Sequence, residues 1–499
     1  MDRIDKLNKK LKVVYKYRIA SNLIDWDLLT NDNENIVDEL IDTQALFKTK
    51  IIKIKTSREF GKLLNGLLKE NQYKKLSDVD KMTVTKLKKE YDQYKNVPIR
   101  FYTQYEKLMS KSQNVWEKAK KEKNYEKFEP YLKKVIDMSK KMTVYRKGKK
   151  ENIYDLMLDD YEEGLNTKIL DKLFKEIKEY VIKLIKDIEQ GDYKEKSADT
   201  QKSENKFPIE KQRALSRFLL RYIGFDVENG TIGESEHPFT MSIALGDTRL
   251  TNHYYENDFI NPVFSIIHEG GHGIFEQNIN PKFRYTPMEI IENMGLHESQ
   301  SRFYENILGK NINFWKPIFE KVKEILPEYE GDLEEFYKKI NKVEPIAIRI
   351  DSDELTYCLH IIIRYEIERD LFNGKISVKQ LPEIWNKKMK EYLGVEVKNH
   401  SEGILQDSHW SAGNFGYFPT YLLGSIYDGM LLEKLEKDMG NIDKILEKGG
   451  IKRITKWLNN NIHQYGGSIK PMELMEQLCG KEISAKPLIK YFKEKYERE

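Results

Sequence analysis

The chain has 499 residues, of which 39% are hydrophobic and 33% charged, and its formal net charge is only +4. That length allows several average domains or one large one, and the hydrophobic content is enough for a sizeable core. So small a net charge gives no indication of the concentrated basic surface that is typical of nucleic-acid-binding proteins.

The sequence has no features of a secreted or membrane protein. Its two cysteines, Cys358 and Cys479, cannot form a disulfide framework and lack zinc-finger spacing. Charged residues interrupt every apolar run in residues 1–20, which therefore lack the continuous apolar core of a signal peptide. No uninterrupted apolar stretch reaches the roughly 18 residues that a transmembrane helix needs. We therefore expect a cytoplasmic protein with no membrane partner.

Helical periodicity dominates the first half of the chain. Apolar residues recur at helical spacing in segment 4–14 and again in segment 170–188. Asn166 or Thr167 is suited to cap the second of these helices. Residues 190–207 are polar and of low complexity, which predicts an exposed loop between helices.

One region breaks the helical pattern. Between His237 and Tyr255 apolar and polar residues alternate, and a Gly-Asp pair follows the alternation. This pattern predicts a short β-hairpin. We therefore expect a mainly α fold, a large helical body with one small β-sheet next to the segment that follows the hairpin.

The most informative motif follows this hairpin. Asn261 is suited to be an N-cap and Pro262 to occupy the first helical position. The helix that they begin contains His268, Glu269 and His272. Because histidines four residues apart lie on one helix face, both imidazoles can bind one metal ion. Glu269 projects beside such an ion and can accept a proton from a metal-bound water. The alternative is a helix with two ordinary histidines.

A catalytic zinc ion usually has a third protein ligand. A third histidine of the metzincin kind is excluded, because Phe275 and Asn278 occupy the positions where that class has glycine and histidine. A glutamate from a second helix is the other common solution, and segment 288–308 is predicted to be that helix. Spacing alone does not choose among its glutamates, which are Glu289, Glu292, Glu298 and Glu305.

Several separate motifs occur in the order and at the spacing of one family. They are His237-Pro238-Phe239, Asp247-Thr248-Arg249-Leu250-Thr251, His268-Glu269-Gly270-Gly271-His272, His297-Glu298-Ser299-Gln300-Ser301-Arg302, Ile348-Arg349 with Asp353, and Gly403-Ile404-Leu405-Gln406-Asp407-Ser408-His409-Trp410. Through them the chain resembles the Taq-type thermostable metallocarboxypeptidases, which are helical HExxH zinc carboxypeptidases, over about residues 237–421. Five of the nine histidines lie in these motifs.

The resemblance implies a large helical metallopeptidase fold with a deep groove, similar to neurolysin and angiotensin-converting enzyme, and a homodimer. It also implies that Glu298 is the third metal ligand. We expect a single carboxypeptidase domain over residues 1–499, with a mainly helical N-terminal body in residues 1–236 and a motif-bearing catalytic region in residues 237–430.

The chain departs from the family pattern at two places. Ser352 precedes Asp353, where the family normally has alanine. The Met-Pro that commonly follows the N-terminal Trp-Asp pair, here Trp26-Asp27, is missing. The first departure lies near a proposed recognition site, and the second concerns only the interpretation of the N-terminal part.

The implied activity is the removal of single residues from peptide C-termini, with one zinc ion per chain or, since the same ligands accept them, cobalt or manganese. Glu269 is expected to take a proton from the zinc-bound water and to deliver it to the leaving amine. Arg349 is the first candidate to bind the terminal carboxylate of the substrate, because an arginine fork binds carboxylates at two points. Its alternative is an i, i+4 salt bridge with Asp353 on one helix. Arg249 is the second candidate, and its alternative is a structural pair with Asp247.

A stretch rich in glycine and aromatic residues contains His409, Tyr417 and Tyr421. By analogy with the helical zinc peptidases, His409 and a tyrosine donate hydrogen bonds to the oxyanion or to the substrate backbone. Tyr421 is preferred for catalysis and Tyr417 for substrate binding, with core packing as the alternative for either. His237 is expected to contact substrate or to seal the groove, with packing as its alternative. His297 is expected to support the metal ligands from outside.

Three competing functions are weaker. A helical zinc oligoendopeptidase has the same metal site but needs no carboxylate-binding residue, so the full motif set favours the carboxypeptidase. A metal-binding scaffold without turnover would not need Glu269. A nucleic-acid binder, suggested by lysine-rich segments 1–20 and 139–151, is disfavoured because those charges are balanced nearby. The expected partners are peptide substrates and a second copy of the chain.

Overall fold

A computed structural model of the chain describes residues 2–31, 34–148, 152–190 and 206–497. Most of these residues are helical, and the remainder includes one three-stranded sheet. The expected fold class, a mainly helical protein with one small sheet, is confirmed. Within the described ranges, none of the helices combines the length and the apolar character that crossing a membrane requires.

The chain is helical before the sheet. In chain order these helices are α1 (Arg3–Thr30), α2 (Val37–Lys55), α3 (Arg58–Leu67), α4 (Glu70–Tyr73), α5 (Asp78–Tyr94), α6 (Ile99–Lys121), α7 (Tyr125–Lys147), α8 (Ile153–Tyr161), α9 (Thr167–Gln190) and α10 (Ile209–Ile223). Segment 4–14 lies in α1 and segment 170–188 in α9, so both predicted helices are confirmed. The Asn166 side chain caps α9 by accepting a hydrogen bond from the Ile169 N–H at 3.1 Å. Most of the polar segment 190–207 lies outside the described residues.

The sheet consists of β1 (Gly230–Glu234), β2 (Thr240–Ala244) and β3 (Asp247–Asn252), in the order β1-β3-β2. Strands β2 and β3 are antiparallel, which confirms the predicted hairpin. Its turn contains Gly246 with a φ of 97°, a conformation that favours glycine. Strand β1 pairs with β3 in parallel. The sequence does not predict β1, because its five residues include two glycines and only one large apolar side chain.

Helices also form most of the chain after the sheet. They are α11 (Ile260–Gln277), α12 (Met294–Arg302), α13 (Ile312–Trp315), α14 (Phe319–Ile325), α15 (Leu333–Ile340), α16 (Glu354–Phe372), α17 (Leu381–Leu393), α18 (Phe418–Met439), α19 (Ile442–Glu447), α20 (Ile451–Asn461), α21 (Pro471–Cys479) and α22 (Lys486–Tyr496). One hydrophobic cluster contains buried residues from Met109 to Phe492, and a smaller one joins α1, α3 and α5. The division of the chain into residues 1–236 and 237–430 stays a prediction.

The start of α11 differs from the predicted one. The helix begins at Ile260, so the expected N-cap at Asn261 and first helical position at Pro262 are both wrong. The reason is that Asp258 supplies the capping oxygen from two residues upstream. Its Oδ1 accepts hydrogen bonds from the N–H groups of Ile260 and Asn261 at 2.8 and 3.4 Å.

The helix predicted over segment 288–308 is interrupted. A 3₁₀ turn, Pro287–Glu289, is followed by non-helical chain, and α12 begins only at Met294. The carbonyl of Met288 accepts a hydrogen bond at 2.8 Å from the Gly467 N–H, a tertiary partner that replaces the next turn of a helix. After α12 the chain continues as a π-helical segment, Phe303–Leu308.

Candidate active site

Two helices bring the predicted metal ligands together. His268 and His272 lie one turn apart on α11, and Glu298 lies on α12. Each of the three offers a ligand atom, and these atoms all lie within 4.8 Å of one another. No other group of this kind occurs in the part of the chain that the structure describes.

These residues fit a divalent metal ion. Two imidazole nitrogens and one carboxylate oxygen are the donor set of catalytic zinc sites, in which the fourth position is open for water. His272 Nε2 and Glu298 Oε2 are 3.8 Å apart, too far for a hydrogen bond and suited to two atoms that bind one ion. Cobalt and manganese are accepted by the same donors.

Glycines allow the helices of this cluster to approach closely. A Cβ atom at Gly271 of α11 would lie 2.7 Å from the Cα atom of Ser301 in α12. At Gly424 of α18, a Cβ atom would lie 2.9 Å from the backbone nitrogen of Ser299. Because packed atoms do not approach so closely, glycine at both places sets the distances between the three helices. Those distances fix Glu298 relative to the two histidines.

We expect Gly271→Ala to lower the free energy of unfolding by about 1–3 kcal/mol, as overpacking does, and to weaken metal binding. The added methyl meets the backbone of α12, so Glu298 must shift away from the histidines. Thermal unfolding and a metal titration measure the two effects. Gly270→Ala is the matched control, because its methyl would meet the side chains of Ile223 and Leu220, which can move. Equal metal affinities in the two variants would contradict this account.

Two of the ligands are held from outside by further side chains. His268 Nδ1 lies 2.8 Å from Glu305 Oε2, and Arg302 donates from Nε to Glu298 Oε1 at 2.7 Å. Burial raises the pKa of Glu305, but its hydrogen bond with His268 and the neighbouring positive charges lower it. An ionised Glu305 accepts a hydrogen bond from Nδ1 and so leaves Nε2 of His268 as the ligand atom.

His297 lies where the sequence predicts a supporting residue. Its ring stacks on the ring of His272, with centroids 4.1 Å apart and planes 12° apart. Its Nε2 lies 3.2 Å from Glu276 Oε1. Glu276 in turn accepts a hydrogen bond at 2.9 Å from the Ser242 hydroxyl of β2. The sheet therefore helps to orient the metal-binding helix.

The Glu269 side chain is hydrogen-bonded to a residue of strand β2. The Thr240 hydroxyl donates a hydrogen bond to Glu269 Oε2 at 2.7 Å. Only 7% of the Glu269 surface is exposed, and burial raises the pKa of its carboxyl. A raised pKa suits a general base that works near neutral pH.

Arg349 is not on the helix with Asp353. It lies in a 3₁₀ turn before α16, and the Asp353 side chain caps α16 by accepting hydrogen bonds from two backbone N–H groups of its first turn. The alternative of an i, i+4 salt bridge between Arg349 and Asp353 is therefore wrong. Instead, Nε and Nη2 of Arg349 donate to Asp407 Oδ1 at 3.1 and 2.9 Å.

A second arginine shares Asp407. Arg364 of α16, which is completely buried, donates from Nε to Asp407 Oδ2 at 2.7 Å. Burial raises the pKa of Asp407, but the charges of Arg349 and Arg364 hold it well below its usual range. Two guanidinium groups and one carboxylate leave one net positive charge, which complements a single carboxylate ligand.

Tyr357 connects Arg349 to the metal cluster. Its hydroxyl accepts a hydrogen bond from Arg349 Nη1 at 2.9 Å. The Arg302 guanidinium, which binds Glu298, lies 3.8 Å from the centre of the Tyr357 ring. A guanidinium has five N–H groups. After its bonds to Asp407 and Tyr357, Arg349 retains one N–H on Nη1 and one on Nη2 without an acceptor among the described residues.

His409, Tyr417 and Tyr421 lie beside Arg349. His409 Nε2 is 3.2 Å from the Tyr421 hydroxyl, and the Tyr421 ring centre is 5.3 Å from the Arg349 guanidinium. The Tyr417 ring is 5.4 Å from the His409 ring and 5.2 Å from the Tyr421 ring. Burial lowers the pKa of His409 to about 4 and raises that of Tyr417 to about 12. At neutral pH all three can donate hydrogen bonds as neutral groups.

Arg249 and His237 lie at the sheet. Arg249 Nε and Nη2 donate to the Asp247 carboxylate at 3.0 and 2.9 Å. The structural pair with Asp247, which is the alternative to a substrate role for Arg249, is therefore present. The Arg249 guanidinium also lies 5.5 Å from the Trp26 ring centre. His237 is exposed, which disfavours the alternative that it packs in the core.

Sequence reasoning does not single out Thr240, Arg302, Tyr357 or Arg364. The i, i+4 spacing from Glu298 to Arg302 is a local signal that could have predicted that pair. The partner of Arg364 is 43 positions away in the chain, and such a contact has no local signal.

The chain is similar to known proteins over nearly its whole length. The sequence profile described as carboxypeptidase Taq (M32) metallopeptidase matches residues 6–496. "Carboxypeptidase 1" of Bacillus subtilis is 39% identical over 97% of this chain and 96% of its own. "Thermostable carboxypeptidase 1" of Thermus thermophilus is 35% identical over 83% of this chain and 82% of its own. The solved structure "Trypanosoma Cruzi Metallocarboxypeptidase 1" has a TM-score of 0.94 and 30% identity, covering 99% of both chains.

Proposed function

Because the chain belongs to the carboxypeptidase Taq (M32) family and is therefore a metallocarboxypeptidase, we propose that it removes single residues from peptide C-termini at a zinc ion bound by His268, His272 and Glu298. The observation that most supports this proposal is the series of contacts that leads from Glu298 through Arg302 and Tyr357 to Arg349. It joins a candidate metal site to a candidate carboxylate site within a few side chains.

Arg349 is the proposed receptor for the terminal carboxylate. Its remaining N–H groups and the net positive charge that it forms with Arg364 and Asp407 suit one carboxylate. A free C-terminus supplies that group, whereas an amidated C-terminus or an internal peptide bond does not. Recognition of the carboxylate therefore limits hydrolysis to the end of the chain.

Glu269 is the proposed general base. A bound metal ion would supply Lewis acidity, lowering the pKa of a water molecule to about 7 and polarising the substrate carbonyl. Glu269 takes the proton of the attacking water, and the resulting carboxylic acid gives it to the leaving amine. The Thr240 hydroxyl keeps the Glu269 carboxylate oriented through these transfers.

His409 and Tyr421 are the proposed donors to the oxyanion of the tetrahedral intermediate. Neutral donors in a buried site stabilise developing negative charge effectively, since water does not compete with them. Tyr417 is proposed to bind the substrate backbone, and Arg249 and His237 to contact the substrate at the sheet. The Arg249–Asp247 pair is compatible with this role, because pairing leaves further N–H groups on the guanidinium.

Two further features complete the proposal. The family requires a metal ion, and we propose zinc because its usual donor set matches the observed cluster. We also propose that two copies of the chain form a homodimer. The cytoplasmic location stays a prediction from the sequence; both cysteines are free in the structure.

The experiment that tests this function is mass spectrometry of synthetic peptides after incubation with the protein. Each peptide is supplied with a free and with an amidated C-terminus, and the protein is loaded with zinc, cobalt or manganese or stripped of metal. We expect a ladder of single-residue losses from the free C-termini only, and none with the stripped protein. Internal cleavage of both peptide forms would instead assign an oligoendopeptidase. Absence of cleavage with every metal would favour a scaffold.

A further inference from the structure

The buried carboxylate of Glu368 has no part in the reaction described above. It lies on α16, one turn after Arg364, and none of its surface is exposed. It accepts three hydrogen bonds: from Trp410 Nε1 to Oε1 at 2.6 Å, and to Oε2 from the Gly416 N–H at 2.7 Å and the Tyr154 hydroxyl at 2.8 Å. A buried carboxylate without an ion pair is costly unless its oxygens are occupied in this way.

Two of these donors lie in segment 409–417, which begins at His409 and ends at Tyr417. Trp410 follows His409 directly, and Gly416 directly precedes Tyr417. Gly416 has a φ of 89°, and a Cβ atom there would lie 2.9 Å from the backbone of Met157. Only glycine therefore brings this N–H to Glu368 without strain. The carboxylate thus holds both ends of segment 410–416.

The same helix also binds the chain just before this segment. Arg364 binds Asp407 through Oδ2 and the Gln406 side chain through Nη2 at 2.8 Å. His409 therefore lies between Asp407 and Trp410, and both of these neighbours are bound to α16. Its own ring has little polar support, because Nδ1 has no hydrogen-bond partner among the described residues and Nε2 meets only Tyr421.

We propose that Glu368 is a positioning residue for the reaction, which holds the chain near both ends of segment 409–417 and thereby places His409 toward the substrate. The inference rests on the proposed role of His409. It goes beyond that role because Glu368 touches neither substrate nor metal ligand and acts only through Trp410 and Gly416.

Glutamine tests this role because every partner of Glu368 is a donor. In Glu368→Gln the amide nitrogen must face either Trp410 or Gly416, so one of the two bonds becomes a contact between donors. We expect kcat to fall about 10- to 100-fold, since a misplacement near 1 Å costs about that much. KM should change less than about threefold, because the carboxylate receptor is intact, and the metal content should equal that of the wild type.

A double-mutant cycle separates positioning from general destabilisation. If Glu368 acts through His409, the variant Glu368→Gln/His409→Ala should be at most about twofold slower than His409→Ala alone. If the two losses multiply, Glu368 has no specific link to His409 and the inference fails. If His409→Ala by itself keeps full kcat, the proposed role of His409 is wrong and the inference falls with it. The single variants therefore distinguish the two failures.

A second pair of variants covers the case in which Glu368→Gln does not fold. Trp410→Phe removes a bond between Glu368 and the segment, whereas Tyr154→Phe removes a bond to the same carboxylate from α8. We expect Trp410→Phe to lower kcat about tenfold or more and Tyr154→Phe to keep it within about threefold. Equal losses in the two variants would overturn the inference.

Discussion

Glu269→Gln is expected to lower kcat by about 10³- to 10⁴-fold, the upper range for removal of a general acid–base group. Glutamine keeps the size of the side chain and its bond to the Thr240 hydroxyl but cannot accept a proton. Because the water must lose one proton and the amine must gain one, a single substitution removes both transfers. Initial rates on a short peptide, together with the metal content of the purified protein, measure the effect.

A buried glutamate outside the cluster provides the control. Glu289 has 9% of its surface exposed and accepts a hydrogen bond from the Tyr285 N–H. On spacing alone it is as good a candidate for the third ligand as Glu298. Glu289→Gln should keep kcat within about twofold, as substitutions away from a site usually do. If Glu269→Gln retained full metal and more than a tenth of the wild-type kcat, another group would have to be the base.

Arg349→Met is expected to lower kcat/KM on free C-termini by about two to three orders of magnitude. Truncating one partner of a buried charge pair costs about 2–5 kcal/mol, and each 1.4 kcal/mol is about tenfold. Methionine fills the volume without donors, while Asp407 keeps its bonds to Arg364. The same variant should hydrolyse amidated peptides no more slowly than the wild type, so the preference for free C-termini should disappear. Paired peptides in one reaction measure that ratio.

Arg249→Met is the matched variant for this comparison. Arg249 is also paired at two points with an aspartate, but it lies on the sheet. Whatever its effect on rate, we expect its preference for free over amidated peptides to equal that of the wild type. The opposite pattern, in which only Arg249→Met loses the preference, would make Arg249 the carboxylate receptor and leave Arg349 with a structural role.

The parts of the fold that follow from the sequence are those with local signals. The spacing of His268 and His272 predicts the helix that carries them, and alternation predicts the β2–β3 hairpin. Boundaries are less predictable because distant or upstream groups compete for the helix ends. Asp258 caps α11 ahead of the expected Asn261. A hydrogen bond from Gly467 to Met288 ends the helical turn before α12.

The candidate site also has residues that the sequence predicts and contacts that it does not. The family motifs contain His268, Glu298 and Arg349, so the sequence names them. It does not reveal what Arg349 binds, because an arginine four residues from Asp353 satisfies a helical pairing rule equally well. Its actual partner, Asp407, is 58 positions away. Apart from Arg302, which is four residues from Glu298, the residues that orient the site come from such long-range pairs, which only the folded chain brings together.

The close contacts at Gly271 and Gly424 also govern how an ion can be exchanged. Packing of α11, α12 and α18 holds His268, Glu298 and their helices together independently of a ligand. In small zinc domains the ligands converge only when the ion binds, so that binding and folding are one equilibrium. Here the conformational entropy of the ligand residues is lost during folding. The ion should therefore be able to leave, and another divalent ion to replace it, while the fold persists.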